Sequence, residues 1–374
     1  MVNLHKFLKD YFDDIVIGSS PLMIIKAIQL AKRGRSVILI DRNFFFGGNW
    51  NTLKLKNKDK VETACHLIEF FPGIYDLLEE YADMRFTVLN PQPIRVFNKF
   101  FKMSYSSNFL TIITGLRLIM GLIKSYIDLW TGFKKDYNEI INFRNKLYSY
   151  KKYQIKNIFF NNKIKGPIDG YVAFIDKLVE NACKEKVYFL NMNVQKLKLI
   201  NKKWYIISEN KKKICSNNIH VTTSTNLKLI TPGNFSADNL ELKEKKSVIV
   251  DIKNTDIKFT QSYIAFWNNP LISRISRVDS PGPVKSFQRF LVEIKEVKLN
   301  NSLDLKNVIF QSMVNTKLLF KNAEIKIIEI VKSEFVQNIN QLPSGKLDYN
   351  FWAYHSKGNL AAGLMHWKNR EDFK

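Results

Sequence analysis

Apolar positions near the start of this chain fall in two different periods, one after the other. Ile15, Val16 and Ile17 form an unbroken apolar run closed by Gly18, the pattern of a strand buried on both faces that enters a tight turn. From Pro21 to Lys32 the apolar side chains recur at helical spacing, and a proline is tolerated in the first helical turn. Gly34 stops that helix, and Ser36–Asp41, SVILID, reads as a second buried strand. Strand, turn, helix and strand within about 30 residues make a βαβ unit of the size of a nucleotide-binding half.

Beyond it the pattern changes. Residues 52–71 read as an edge hairpin, 73–84 as an amphipathic helix, and 86–104 as short strands with turns at Asn90-Pro91 and Asn98. Residues 108–158 read as helical throughout. Residues 166–224 give a loop, a helix and several strands, and the runs KKWYIIS and KICSNNIHVTT flank a lysine-rich turn in the manner of a hairpin. Residues 246–340 alternate β-rich runs with polar turns and one or two helices, and the tail closes on a helix in NLAAGLMHWKNR. No internal repeat and no low-complexity linker interrupts the chain.

Composition narrows the class. The chain has 374 residues and a formal net charge of +24. A basic surface suits nucleic acid, an anionic membrane or an anionic substrate. Lysine is spread along the whole chain, however, and no arginine-rich or aromatic-interleaved basic motif appears, so no nucleic-acid partner is expected. Cys65, Cys183 and Cys215 are far apart and form no C-x-x-C pair, which argues against a disulfide framework and a zinc cluster. The first 14 residues lack the apolar core of a signal peptide, and a cytoplasmic protein with a small-molecule substrate is expected. Residues 108–130 are strongly apolar but broken by Arg117, Lys124 and Asp128, short of the roughly 18 to 20 residues that span a bilayer. Two readings stay open for that segment: a helix lying in a membrane interface, or a helix packed between two domains. Nothing in the sequence speaks to the oligomeric state.

The candidate chemistry sits in the first fifty residues. A dinucleotide turn uses one glycine for the tight turn, a second for backbone approach to the pyrophosphate and a third for close helix–strand packing. Here Gly18 fills the first place, Ser20 the second and Met23 the third. Ser20 retains a hydroxyl for phosphate, whereas Met23 is expected to crowd the helix against the strand. Asp41 lies 23 residues beyond Gly18 at the end of the second strand, where an acid accepts hydrogen bonds from ribose hydroxyls. Gly47 and Gly48 follow, a pair that lets backbone pass close to a diphosphate, and Gly358 and Asn359 open the last helix, whose N-terminus offers free N–H groups. No G-x-S-x-G, H-E-x-x-H or P-loop is present, and His5, His220, His355 and His366 show no ligand spacing, so no metal is expected.

In this order the motifs resemble the FAD-binding superfamily of amine oxidases, protoporphyrinogen oxidases and UDP-galactopyranose mutases. Asp41, then GGNWNT closing on Thr52, VETACHLI with His66 in a histidine's place, GPIDGYVAFIDKLVENA, FLNMNVQKLKLI and GNLAAGL match its blocks over residues 13–71, 166–224 and 354–367. The resemblance implies an α/β fold. A Rossmann-like FAD/NAD(P)-binding domain would be assembled discontinuously from 11–56, 165–225 and 341–374. A substrate or cap domain of sheet plus helices would be inserted at 57–164 and 226–340. It also implies FAD as cofactor, held by Gly18, Ser19, Ser20, Asp41, Arg42, Gly47, Gly48, Asn49, Trp50, Val194, Gly358, Asn359 and Leu360, with His66 and Arg274 on the substrate side. The departures are Ser20, Met23, Ala64 where a glycine usually stands, and the missing C-terminal Gly-Asp pair. No side chain announces itself as a catalytic acid or base. The resemblance therefore implies a flavin-dependent oxidoreductase, with two alternatives: a flavin-dependent sugar-nucleotide mutase, or a flavin-free binding protein of the same fold, as in the Rab-escort and GDP-dissociation-inhibitor proteins.

Overall fold

The computed structural model describes residues 11–42, 46–50, 52–54, 60–62, 66–68, 73–97, 100, 102–104, 163–194, 196–207, 213–222, 228–230, 240–266, 269–278, 286–295, 302–338, 345–347 and 351–354, together with residues 116, 119–124, 126, 127 and 131. The expected C-terminal helix, and with it Gly358, Asn359 and Leu360, lies outside them.

The first sheet grows from the βαβ unit. β1 (Tyr11–Ile17) pairs in parallel with β2 (Val37–Asp41) on one side and with Lys213–Thr222 on the other, and α1 (Pro21–Lys32) joins the two. Tyr188–Asn191 adds in parallel outside β2, and Phe351–Tyr354 pairs in parallel with the second half of Lys213–Thr222. The first half of that strand instead carries the expected hairpin with Lys203–Ile207, which pairs in turn with Lys196–Ile200. Lys228–Ile230, just past the expected boundary at 225, belongs to this sheet through Lys196–Lys198.

At the centre of the sheet both faces are buried, which is why Ile15–Ile17 and Val37–Ile40 read as unbroken apolar runs. Val16, Val37 and Leu39 face α1, α2 (Ile74–Ala82) and α3 (Gly170–Lys184), packing on Met23, Ile28, Leu78, Phe174 and Leu178. Ile15, Ile17, Ile38 and Ile40 face the other way, onto Leu197, Trp204, Ile206 and Val221. Met23, expected to crowd the helix, is fully buried within the first of these clusters and is one of its packing residues. A glycine there would open a cavity.

The second sheet runs in the order Ile325–Asn338, Leu240–Lys253, Phe287–Ile294, Ile272–Arg277, Tyr263–Phe266, Ile94–Val96, Lys102–Ser104. α4 (Ser302–Asn315) covers one face through Leu305, Ile309 and Met313. The other face presents Ile249, Tyr263, Ala265, Leu291 and Val331 to Val61. Val61 belongs to the expected hairpin, Thr52–Lys54 paired with Lys60–Glu62, so this small ribbon reaches the second sheet.

Most of residues 108–158 lie outside the described set. Those described include Leu116, Ile119, Met120, Ile123, Tyr126 and Ile127, which are helical and exposed, between 42% and 63%. Among the described residues no helix is long and apolar enough to cross a membrane.

Candidate functional site

The site forms where β1 and β2 end side by side. Gly18 turns the chain with φ +95°, a left-handed conformation that favours glycine, and its N–H donates to the carbonyl of Ile40 at 2.8 Å. Ser20 then caps α1 with its carbonyl, accepting from Met23 N at 2.8 Å and Ile24 N at 3.0 Å. The Ser20 hydroxyl is buried and has no hydrogen-bond partner.

Between these two residues Ser19 is fully buried and holds the site together. Its N–H and its hydroxyl both donate to Asp41 Oδ2, at 2.7 and 2.6 Å. The same hydroxyl accepts from the N–H groups of Gly47 at 2.9 Å and Gly48 at 3.1 Å. Gly48 lies at φ +59°, and a Cβ on it would come within 3.0 Å of the Ser20 backbone, so the glycine pair passes directly over the turn. The neighbouring strand closes the rim: Met192 N and Asn191 Nδ2 donate to the carbonyl of Asp41 at 2.9 and 3.3 Å, and Val194 is buried beyond them. Arg42 is exposed, its carbonyl accepting from Asn191 Nδ2 at 3.0 Å. Asn49 contributes backbone to the turn Gly48–Trp50, and its side chain is not among the described ones.

A second cluster adjoins this one. Trp50 stacks on His66 with ring centroids 4.1 Å apart and planes 13° from parallel. Tyr171, at the start of α3, meets both rings edge-on, 5.5 Å from Trp50 and 6.0 Å from His66. The Tyr171 hydroxyl is buried and makes no hydrogen bond of ordinary geometry. Burial drives its pKa far up, the charge of Glu62 adds to the rise, and the nearby Ile68 backbone offsets it only in part. Glu62 is itself buried, and loss of water around its carboxyl pushes its pKa up to about 8, so it keeps its proton at neutral pH. Glu62 and Tyr171 escaped the sequence reading, although Tyr171 stands inside the quoted GPIDGYVAF segment. A carboxyl held neutral by burial has no sequence signature.

Arg274 lies elsewhere, on the second sheet. There Arg95, Ala265, Arg274, Glu293 and Ser247 stand opposite one another across five strands, on the face that meets Val61. Arg274 Nε is 3.8 Å from the buried Glu293 carboxylate, and Ser247 and Ser276 carry buried hydroxyls without hydrogen-bond partners. His66 follows the ribbon that carries Val61, whereas Arg274 stands on the second sheet, whose inner face meets Val61 and Leu67. Among the described residues no three His, Cys, Asp or Glu side chains gather as a metal site.

Does a dinucleotide fit these residues? The Gly18 turn, the converging N–H groups of Gly47 and Gly48, the orphaned Ser20 hydroxyl and the Asp41 carboxylate form a cradle of the right chemistry. They fit, with one local adjustment at Ser19.

No protein-family model and no curated protein matches the sequence. Solved structures do. An oxidoreductase from Methanosarcina mazei superposes with a TM-score of 0.60 at 13% identity, over 96% of this chain and 100% of that one. A reduced UDP-galactopyranose mutase gives 0.58 at 13% identity over 88% and 82%. A Rab GDI from Plasmodium falciparum gives 0.51 at 13% identity over 96% of each chain. The chain has the mixed α/β, Rossmann-like fold of these proteins.

Proposed function

We propose that this protein binds FAD non-covalently and is an oxidoreductase of the amine oxidase-like fold acting on a small molecule. The carrying observation is the meeting of the Gly18–Ser20 turn, Asp41 and the Gly47–Gly48 backbone at the ends of β1 and β2. FAD, when bound, supplies hydride or electron transfer, and the chain supplies binding and orientation. Asp41 accepts from the adenosine ribose, while the Gly47 and Gly48 N–H groups and the Ser20 hydroxyl serve the diphosphate. Glu62 holds a proton in the aromatic cluster at neutral pH. The row containing Arg95 and Arg274, with small Ala265 between them, suits an anionic part of the substrate. An anionic substrate is what the sugar-nucleotide mutase reading requires.

The absorbance of the purified protein in the flavin bands, followed by FAD titration, tests the reading. Asp41→Ala is expected to weaken FAD by about 10- to 100-fold, since a hydrogen bond to a charged group contributes about 1.5 to 3 kcal/mol. A colourless protein that refuses added FAD leaves the flavin-free binding protein, a reading that the engaged state of Asp41 favours.

A peripheral membrane contact belongs to the same proposal. Exposed Leu116, Ile119, Met120, Ile123 and Ile127 recur at helical spacing beside exposed Lys124, on a chain of net charge +24. Co-sedimentation with anionic vesicles is expected, and it should fall several-fold in Met120→Glu, Ile123→Glu. Equal behaviour of the variant and the parent would remove the contact.

A further inference from the structure

We infer that Ser19 is an internal stand-in for the nucleotide ribose, a latch that holds the dinucleotide site closed until its hydroxyl turns away from Asp41. The inference rests on the dinucleotide reading of the site. It adds the residue that sets how tightly the site binds.

The argument begins with what a ribose would do. Its hydroxyl would donate to the acid at the end of β2, and ligand oxygens would face the backbone N–H groups of the glycine turn. In this protein one side chain already does both. A serine hydroxyl has one hydrogen to donate and two lone pairs to offer. Ser19 gives its hydrogen to Asp41 Oδ2 at 2.6 Å and its lone pairs to Gly47 N at 2.9 Å and Gly48 N at 3.1 Å. Its capacity is filled, and it is fully buried among its partners. Asp41 Oδ2 also holds the Ser19 N–H at 2.7 Å, so that oxygen is already engaged twice. The three partners come from separate stretches, the first turn, the end of β2 and the loop beyond it. One hydroxyl ties them in the arrangement that a ligand oxygen would otherwise impose.

Two consequences follow. The free protein keeps its cradle assembled, because buried N–H groups and a buried carboxylate are costly to leave without partners. The ligand must also displace Ser19, so the observed dissociation constant is the intrinsic one divided by the fraction of molecules in which Ser19 has turned away. Ser20, one residue on, has a buried hydroxyl with no partner and is the group left for the phosphate.

The test is FAD titration, by quenching of flavin fluorescence, of the full chain and of Ser19→Ala, alongside the melting temperature of each without ligand. Ser19→Ala is expected to bind FAD at least about tenfold more tightly, while its ligand-free form melts several degrees lower and regains that loss on adding FAD. Ser19→Cys fills the same space with a weaker hydrogen-bonding group and is expected to fall between the two, which keeps the test available if the alanine variant does not fold. Equal FAD affinity of parent and variants overturns the latch and leaves the flavin reading standing. Weaker binding by Ser19→Ala also overturns the latch, because it makes Ser19 a ligand contact. No FAD binding by any of them overturns latch and flavin reading together.

Discussion

Glu62→Gln is expected to stabilise the protein in mildly alkaline solution and to remove a loss of stability that the parent shows between neutral pH and pH 9. The carboxyl of Glu62 is buried, close enough to Tyr171 for its charge to act there, and its pKa rises from 4.5 to about 8 in the folded protein. The folded state therefore binds more protons than the unfolded state between those two values. Stability contributed by this group is full below the lower value and falls as pH rises through the window, until both states are ionised above about 8. Across the whole window the change is on the order of 5 kcal/mol. Glutamine has nearly the same shape and nothing to ionise, and its amide can serve the neighbouring Tyr171 hydroxyl, which has no partner. Urea denaturation of both proteins at pH 6 and pH 9 checks this: the midpoint of the parent should drop, and that of the variant should drop by less. Parallel pH curves would show that water reaches Glu62.

Asp14→Ala is expected to cost about 3 kcal/mol or more, the range for removing one member of a buried ion network. Asp14 is fully buried in β1. Its Oδ1 lies 2.7 Å from His220 Nε2 on the neighbouring strand, and its Oδ2 takes the Arg35 guanidinium. Buried Lys26 stands close enough for its charge to act on the same histidine. Without Asp14, the Arg35 guanidinium and the buried His220 ring both lose the carboxylate that engages them. Asp14→Ala with His220→Phe should recover part of the loss, and a double-mutant cycle by thermal or urea denaturation measures how much. pH separates the two roles. Burial lowers the pKa of His220 below its ordinary 6.5, and the Asp14 hydrogen bond opposes this only in part. Below pH 6.5 the unfolded state therefore binds the extra proton, and the stability of the parent falls as pH falls. His220→Gln should lack that acid-side loss, and a variant that keeps it would place the titrating group elsewhere.

The elements legible in the chain were those built from neighbours in sequence. Ile15 to Gly18, the helical spacing from Pro21 to Lys32 and SVILID made β1, α1 and β2 as expected, because period and turn chemistry are local properties. The hairpin of Lys203–Ile207 with Lys213–Ser216 was legible for the same reason, its turn lying between its strands. The cradle at Gly18, Asp41, Gly47 and Gly48 could be named because each residue type has one backbone or acceptor role at its place in the βαβ unit.

Packing decided the rest. Tyr188–Asn191 and Phe351–Tyr354 carry nothing in their own residues to say that they flank β2 and Lys213–Thr222, since an apolar run fits beside any buried strand. Met23 looks like a steric fault in the sequence, yet the cluster around Phe174 and Leu178 gives it room. Arg274 could be carried over as an anion-binding arginine, but only the strand register sets it beside Ala265 and opposite Glu293. Ser19 is a small residue in a turn until the Gly47–Gly48 backbone folds over it, and only then does its hydroxyl accept from both glycine N–H groups. Glu62 is an ordinary hairpin glutamate until the fold sets Val61 against the second sheet and takes its own side chain out of water. Periodicity and turn residues act over a few bonds and are written in the chain, whereas burial, hydrogen-bond partners and proton affinity depend on which distant segment arrives.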